Sequence, residues 1–241
     1  MTANAFMFFD ERVQDMSHGK RLIISSFLVG QKTWISTSHR SMLVRQTRIK
    51  RRPRAIQEVL HHTRGFAVVG YADIPAEALA SNPRDQAGDI PDMARIDNAW
   101  SILFVMNAMA ALRRLHDHGI ASATLSLYHD PKSLTASHRQ AFHIILRDTL
   151  PRIAEEEGND KFLCYGPTEV PKAGSGTTMN YLQEGTSVAH NLCLVAQSIL
   201  ACGSQGRIYA QDFSERLLAS LALFQIFPAG ALESVENAVS A

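Results

Sequence analysis

The chain has 241 residues, 46% hydrophobic and 20% charged, with a net charge of +1. That length is ample for one sizeable core, and the composition excludes a disordered, collagen-like or low-complexity chain. A near-zero sum argues against a polyanion partner only where the charge is evenly spread.

Residues 5–9 (AFMFF) are a short apolar run that stops at Asp10-Glu11. Beyond a polar turn containing Gly19, residues 21–29 (RLIISSFLV) form a second run, which predicts two strands joined as a hairpin. A basic stretch with a helix at about 54–63 leads to a third strand at 66–71 (FAVVGY). The Pro- and Gly-containing passage at about 75–91 reads as a loop excursion. A long helix follows from about Pro91 to His118, where Met93, Ile96, Trp100 and Leu103 keep helical spacing and Gly119 suits the C′ position. Residues 123–128 (ATLSLY) alternate as a half-buried strand does.

A helix at about 134–149 breaks and restarts at Pro151, and 162–165 (FLCY) is a fifth strand. The Gly/Ser/Thr loop at 173–178 precedes a helix at about 186–201 with a stripe of Val188, Leu192, Val195 and Ile199. A last amphipathic helix is expected at about 214–226, where Leu217, Leu218, Leu221 and Phe224 share a face. The order predicts one α/β domain over 1–241: a three-strand meander plus two further strands in a mixed sheet, with helices packed on it. A basic insertion at about 36–62 and a C-terminal helical extension at about 210–241 complete it.

The longest uncharged segment, 98–112, is 15 residues with two asparagines, which is short for a membrane span. The N-terminal apolar run has no basic residue before it and does not read as a secretory signal. Cys164, Cys193 and Cys202 are odd in number and lack CxxC spacing, which suits free thiols in a cytoplasmic setting.

Asp10 and Glu11 close the first predicted strand, and Asp130 follows the fourth. If those strands are parallel neighbours, the carboxylates meet at one edge, and a divalent cation would offset their repulsion. Carboxylates around Mg²⁺ are suited to phosphodiester cleavage. The same residues also suit simple turns.

The strand order resembles the RNase H-like fold. FFDERV resembles the first strand of a family of uncharacterised RNase H-like domains, which ends Asp-Glu-Ser-Gly; here Arg12-Val13 stands in place of Ser-Gly. SLYHDP resembles that family's fourth strand, with its terminal aspartate at Asp130. The last shared helix carries a Leu-x-x-Ala-Asp signature, and this chain has Gln197 in place of the acid. The likeness spans about residues 5–202. It implies a nuclease site with Asp10, Glu11, Asp97 and Asp130 as catalytic residues. Asp10 and Asp130 would be the metal ligands for Mg²⁺ or Mn²⁺, with His190 and Gln197 at the metal's edge. Asp97 alternatively serves as a favourable charge near a helix N-terminus. Gln197 brings a carbonyl but no charge, which opens the alternative of a catalytically degenerate, binding-only relative.

From Met16 to Gln57 there are ten Lys or Arg and no acid, so the rest of the chain sums to 1 − 10 = −9. Arg40, Arg45, Arg48, Lys50, Arg51, Arg52 and Arg54 are the candidate nucleic-acid-binding residues, for which phosphate contact would relieve self-repulsion. A solvated basic face and an acidic protein partner are the competing readings, and DNA and RNA are not distinguished. His116-Asp117-His118 lacks metal-ligand geometry on a helix, and Ala173–Thr178 lacks the Lys of a P-loop. The expectation is a nucleic-acid-binding, divalent-metal-dependent nuclease. The first alternative is a degenerate subunit that binds nucleic acid or protein in a larger assembly, and a weaker one is a small-molecule hydrolase.

Overall fold

The computed structural model describes residues 3–37, 52–76, 104–113, 119–120, 122–131, 143–144, 147–148, 150–156, 162–171, 180–201 and 221–227. In chain order these give β1 (Ala3–Met16), β2 (Gly19–Gly30), α1 (Gln31–Thr37), α2 (Arg52–Thr63) and β3 (Phe66–Pro75). Helical residues 104–113, labelled α3, precede β4 (Ala123–His129), α4 (Leu150–Glu156), β5 (Phe162–Glu169), α5 (Tyr181–Ala201) and β6 (Leu221–Phe227).

The strands form a single sheet in the order β5-β4-β1-β2-β3-β6. β1, β2 and β3 are the antiparallel meander, and β4 lies parallel to β1 with β5 parallel beyond it. This order and these directions are those of the RNase H-like fold, with β6 added parallel to β3 at the opposite edge.

β1 is central and buried on both faces, which explains its unbroken apolar run. Met7 and Phe9 face one core with Ile24, Leu125, Leu127 and the α3 residues Phe104, Ala108 and Leu112. Phe6 and Phe8 face the other, with Ile23, Phe27, Trp34, the α2 residues Ile56 and Leu60, and Val188, Leu192 and Ala196 of α5. The sheet is therefore a middle layer between α3 and the α2–α5 pair. Each core carries a buried polar anchor: Ser25 Oγ donates to the Ala189 carbonyl at 2.6 Å, and Ser26 Oγ bonds the Asn107 side chain.

Three expectations are corrected. β1 does not end at Asp10-Glu11 but continues to Met16, because its pairing with β2 runs on to Met16↔Gly19. Gly19 closes that hairpin at φ 144°, where a Cβ would meet the Ile74 carbonyl oxygen at 2.1 Å. Secondly, α5 begins at Tyr181 and not near 186. Asn180 Oδ1 accepts from the amides of Leu182 and Gln183, both at 3.0 Å, while Gln183 Oε1 accepts from the Asn180 amide at 3.0 Å. That reciprocal cap starts the helix before Gly185.

Thirdly, of the C-terminal helix expected at about 214–226, residues 214–220 lie outside the described residues and Leu221–Phe227 form strand β6, so the helical extension is overturned there. LALFQIF is a short apolar run that satisfies helical and strand spacing alike, and the edge of β3 supplies the pairing that decides it. Among the described residues, no helix is long and apolar enough to cross a membrane.

Candidate functional site

Parallel pairing sets Phe9 beside His129, the last residue of β4. The next position on each chain is an aspartate, so Asp10 and Asp130 follow one another's register where β4 ends. Strand alternation directs Asp10 toward α5, on the face of Phe6 and Phe8. Asp10 is 5% exposed. His129 is buried, its Nδ1 is 2.7 Å from the Asp130 carbonyl oxygen, and the Val170 amide donates to the His129 carbonyl at 2.8 Å. These bonds fix where the chain leaves β4.

α5 lies along β1 and delivers His190 to Asp10. Gly185 permits this approach, since a Cβ there would meet the Phe8 ring at 2.4 Å. His190 Nδ1 is 2.7 Å from Asp10 Oδ2, with the histidine side chain 48% exposed and the aspartate 6%. The imidazole thus spans from a buried carboxylate to the surface. With Nδ1–H donated to Asp10, Nε2 is the atom left for a proton, a metal or a substrate group.

One turn on, Cys193 Sγ lies 3.3 Å from the Asp10 carbonyl oxygen and 3.3 Å from Ser25 Oγ. Burial, reinforced by the charge of Asp10, pushes this thiol well above the ordinary range, so it is a neutral packing group. Cys193 and Ser25 hold α5 against β1 and β2 and thereby set His190. Sequence reasoning missed both; the one available signal was a cysteine three residues after His190 on the same helix.

The other expected residues are distributed differently. Glu11 pairs with Ile24, which belongs to the α3 core, so it projects from the opposite face of the sheet to Asp10. Gln197 is on α5, half-buried, seven residues after His190 and about 10 Å further along the axis. Asp97, Arg40, Arg45, Arg48, Lys50 and Arg51 lie outside the described residues. Arg52 and Arg54 are in the first turn of α2, with side chains outside the described set.

Among the described residues, no three His, Cys, Asp or Glu side chains are grouped so as to hold a metal ion, so Asp130 does not complete such a group with the Asp10–His190 pair. Mg²⁺ characteristically takes one or two carboxylates and completes its shell with water and substrate phosphate. Asp10 and Asp130 carry oxygen donors of that kind at the positions that follow the Phe9–His129 pairing.

No protein-family model matches the chain, and no curated protein matches it. Among solved structures it is similar to ribonuclease H2 from Pyrococcus horikoshii OT3, at 12% identity over 88% of this chain and 78% of that one, with a TM-score of 0.46. RNase HII in the PCNA:RNase HII complex from Archaeoglobus fulgidus aligns at 10% identity over 98% and 87%, with a TM-score of 0.35. Bst-RNase HIII in complex with Mn²⁺ aligns at 15% identity over 100% and 72%, with a TM-score of 0.36. With all three scores below 0.5, it is strand order and direction that establish the RNase H-like fold of this chain.

Proposed function

We propose that this chain binds nucleic acid and hydrolyses its phosphodiester bonds with a divalent ion, Mg²⁺ or Mn²⁺, held by Asp10 and Asp130. The observation that carries the reading is the buried Asp10, one register position past the β1–β4 pairing and bonded to His190. When bound, the ion would polarise the phosphate and stabilise charge on the attacking and leaving oxygens. Asp10 and Asp130 would orient that phosphate at the end of β4. His190 would keep the Asp10 carboxylate in one rotamer and carry a proton at Nε2. Asp97 would assist through its charge. Arg40, Arg45, Arg48, Lys50, Arg51, Arg52 and Arg54 would hold the nucleic-acid backbone. The free, buried thiols of Cys164 and Cys193 support a reducing, cytoplasmic setting.

The test is cleavage of labelled DNA and RNA with Mg²⁺ or Mn²⁺ by wild type, Asp10→Asn and Asp130→Asn. Cleavage that both variants retain undiminished sinks the catalytic assignment. A second reading, a degenerate subunit binding nucleic acid or a protein partner in an assembly, is favoured by Gln197 standing where the resemblance expects an acid. Salt-sensitive binding with no cleavage in either metal selects it.

A further inference from the structure

We propose that Arg12 forms a phosphate-binding subsite beside Asp10, and that its ligand is a backbone phosphate of the nucleic acid. The inference rests on the functional reading above and names the part of the substrate that this end of β1 grips.

Arg12 follows Asp10 by two positions, so both side chains leave the same face of β1, with their Cα atoms about 6.6 Å apart. Its register partner is Ile23, which belongs to the α5-facing core. β4 ends at His129 opposite Phe9, so β1 runs on beyond β4 through Asp10 and Arg12. Arg12 therefore lies where the sheet edge steps back, next to the proposed reaction centre.

Its guanidinium is incomplete. The Nε atom is buried and meets no hydrogen-bond acceptor among the described residues. Arg21, on the neighbouring strand, shows what a saturated arginine looks like here. Its Nε and Nη2 reach the two Asp73 oxygens at 2.5 and 2.7 Å, Nη1 lies 3.4 Å from the Leu200 carbonyl oxygen, and the Tyr71 ring is 5.3 Å away. Two arginines thus share one face of the meander; one has its carboxylate and the other has none among the described residues.

Burying a charged donor without an acceptor is unfavourable, and an arriving anion would remove that penalty. A planar guanidinium fork matches phosphate oxygens. Gln14, two residues further on the same face, has a buried Oε1 that also meets no donor among the described residues. A ligand carrying a hydroxyl or amino group beside its phosphate, as a nucleotide does, satisfies both atoms. Arg12 stands where the resembling strand motif has a serine.

The test uses the full chain in EDTA. Binding of a fluorescein-labelled single strand, DNA or RNA, is measured by anisotropy over a range of KCl concentrations for wild type and Arg12→Gln. The expected result is weaker binding by Arg12→Gln, with the slope of log affinity against log salt reduced by about 0.7 for the lost contact. An unchanged slope in a variant that still binds overturns the subsite and leaves the nucleic-acid reading standing. A second measurement needs no variant: phenylglyoxal modification of wild-type Arg12, followed by mass spectrometry, with and without inorganic phosphate. Phosphate is expected to slow modification several-fold, and an unchanged rate overturns the proposal. Protection by phosphate in a chain that binds no oligonucleotide overturns the nucleic-acid ligand and the functional reading, and retains only an anion site at Arg12.

Discussion

His190 Nδ1 lies 2.7 Å from Asp10 Oδ2, joining residues 180 apart in the sequence and tying α5 to the first strand. The bond crosses a steep gradient of exposure, from an aspartate side chain 6% exposed to a histidine 48% exposed. A carboxylate in that position needs a donor, and the donor it has also faces outward. Three contacts hold the pair in place: Ser25 to the Ala189 carbonyl, Cys193 to the Asp10 carbonyl, and the close seat of Gly185 on Phe8.

The proposed role of His190 as a positioning residue predicts a particular kinetic signature. His190→Ala should raise the Mg²⁺ or Mn²⁺ concentration needed for half-maximal cleavage by about 10- to 100-fold, the usual effect of removing a partner of a metal ligand. Asp10→Asn should abolish cleavage at every metal concentration. A His190→Ala enzyme with an unchanged metal titration refutes the role. Circular dichroism and a melting curve separate this from unfolding.

Gly185 is the clearest packing prediction. Alanine in the middle of an exposed helix would ordinarily stabilise it by about 0.5–1 kcal/mol over glycine. Here the added methyl would lie 2.4–2.5 Å from three atoms of the Phe8 ring, itself fully buried among Phe27, Trp34 and Tyr128. Gly185→Ala should therefore destabilise the protein by about 1–3 kcal/mol, measured by urea denaturation. A double variant with Phe8→Leu should recover part of that loss relative to Phe8→Leu alone.

The meander and the parallel neighbour of β1 were legible because their strands are apolar runs bounded by turn residues, and the observed pairing of β1 with β2 and β4 agrees. The extension of β1 past Asp10 was hidden because a charged pair reads as a stop. Only the length of β2, which runs to Gly19, shows that ladder bonds continue there. β6 was hidden by a run whose spacing fits two periods, and its pairing with β3 is a long-range fact. At the site, Asp10 was visible as a residue type at a strand end, and His190 as a helix residue. Their contact depends on how α5 lies across the sheet, which glycine and serine positions decide and which periodicity does not encode. The opposite facing of Glu11 follows from the strand continuing, so it was misjudged together with the strand's end.

Asn180 should contribute measurably to holding α5. Its Oδ1 takes two amide hydrogens of the first turn, and Gln183 returns a bond to its amide. Asn180→Ala is expected to lower stability by about 1 kcal/mol, whereas Asn180→Asp or Asn180→Ser should be nearly neutral. Equal losses for alanine and aspartate would show that the carbonyl oxygen is not the operative group. Because α5 carries His190, the alanine variant should also show faster hydrogen exchange in the first turn of the helix.

The buried thiols predict a stability that falls in alkali. Desolvation pushes Cys164 up to about 12 from an ordinary 9.0, and Cys193, fully buried beside Asp10, is raised further in the same direction. In the unfolded chain both thiols lose their protons near their ordinary values, while the folded chain keeps them. Above pH about 9 the folded state binds more protons than the unfolded state, so unfolding becomes more favourable as pH rises. The contribution is fully present below that value and is lost progressively toward pH about 12, at up to about 1.4 kcal/mol per pH unit for each thiol. Urea midpoints measured from pH 8 to pH 10.5 should decline in wild type. The decline should be shallower in Cys193→Ala, although that variant starts from a lower stability because it loses packing against Ser25 and the Asp10 carbonyl. Parallel declines in the two proteins would mean that the Cys193 thiol ionises alike in the folded and unfolded chains. Native-state alkylation gives an independent check: at pH 8 both buried cysteines should resist iodoacetamide until the chain is unfolded.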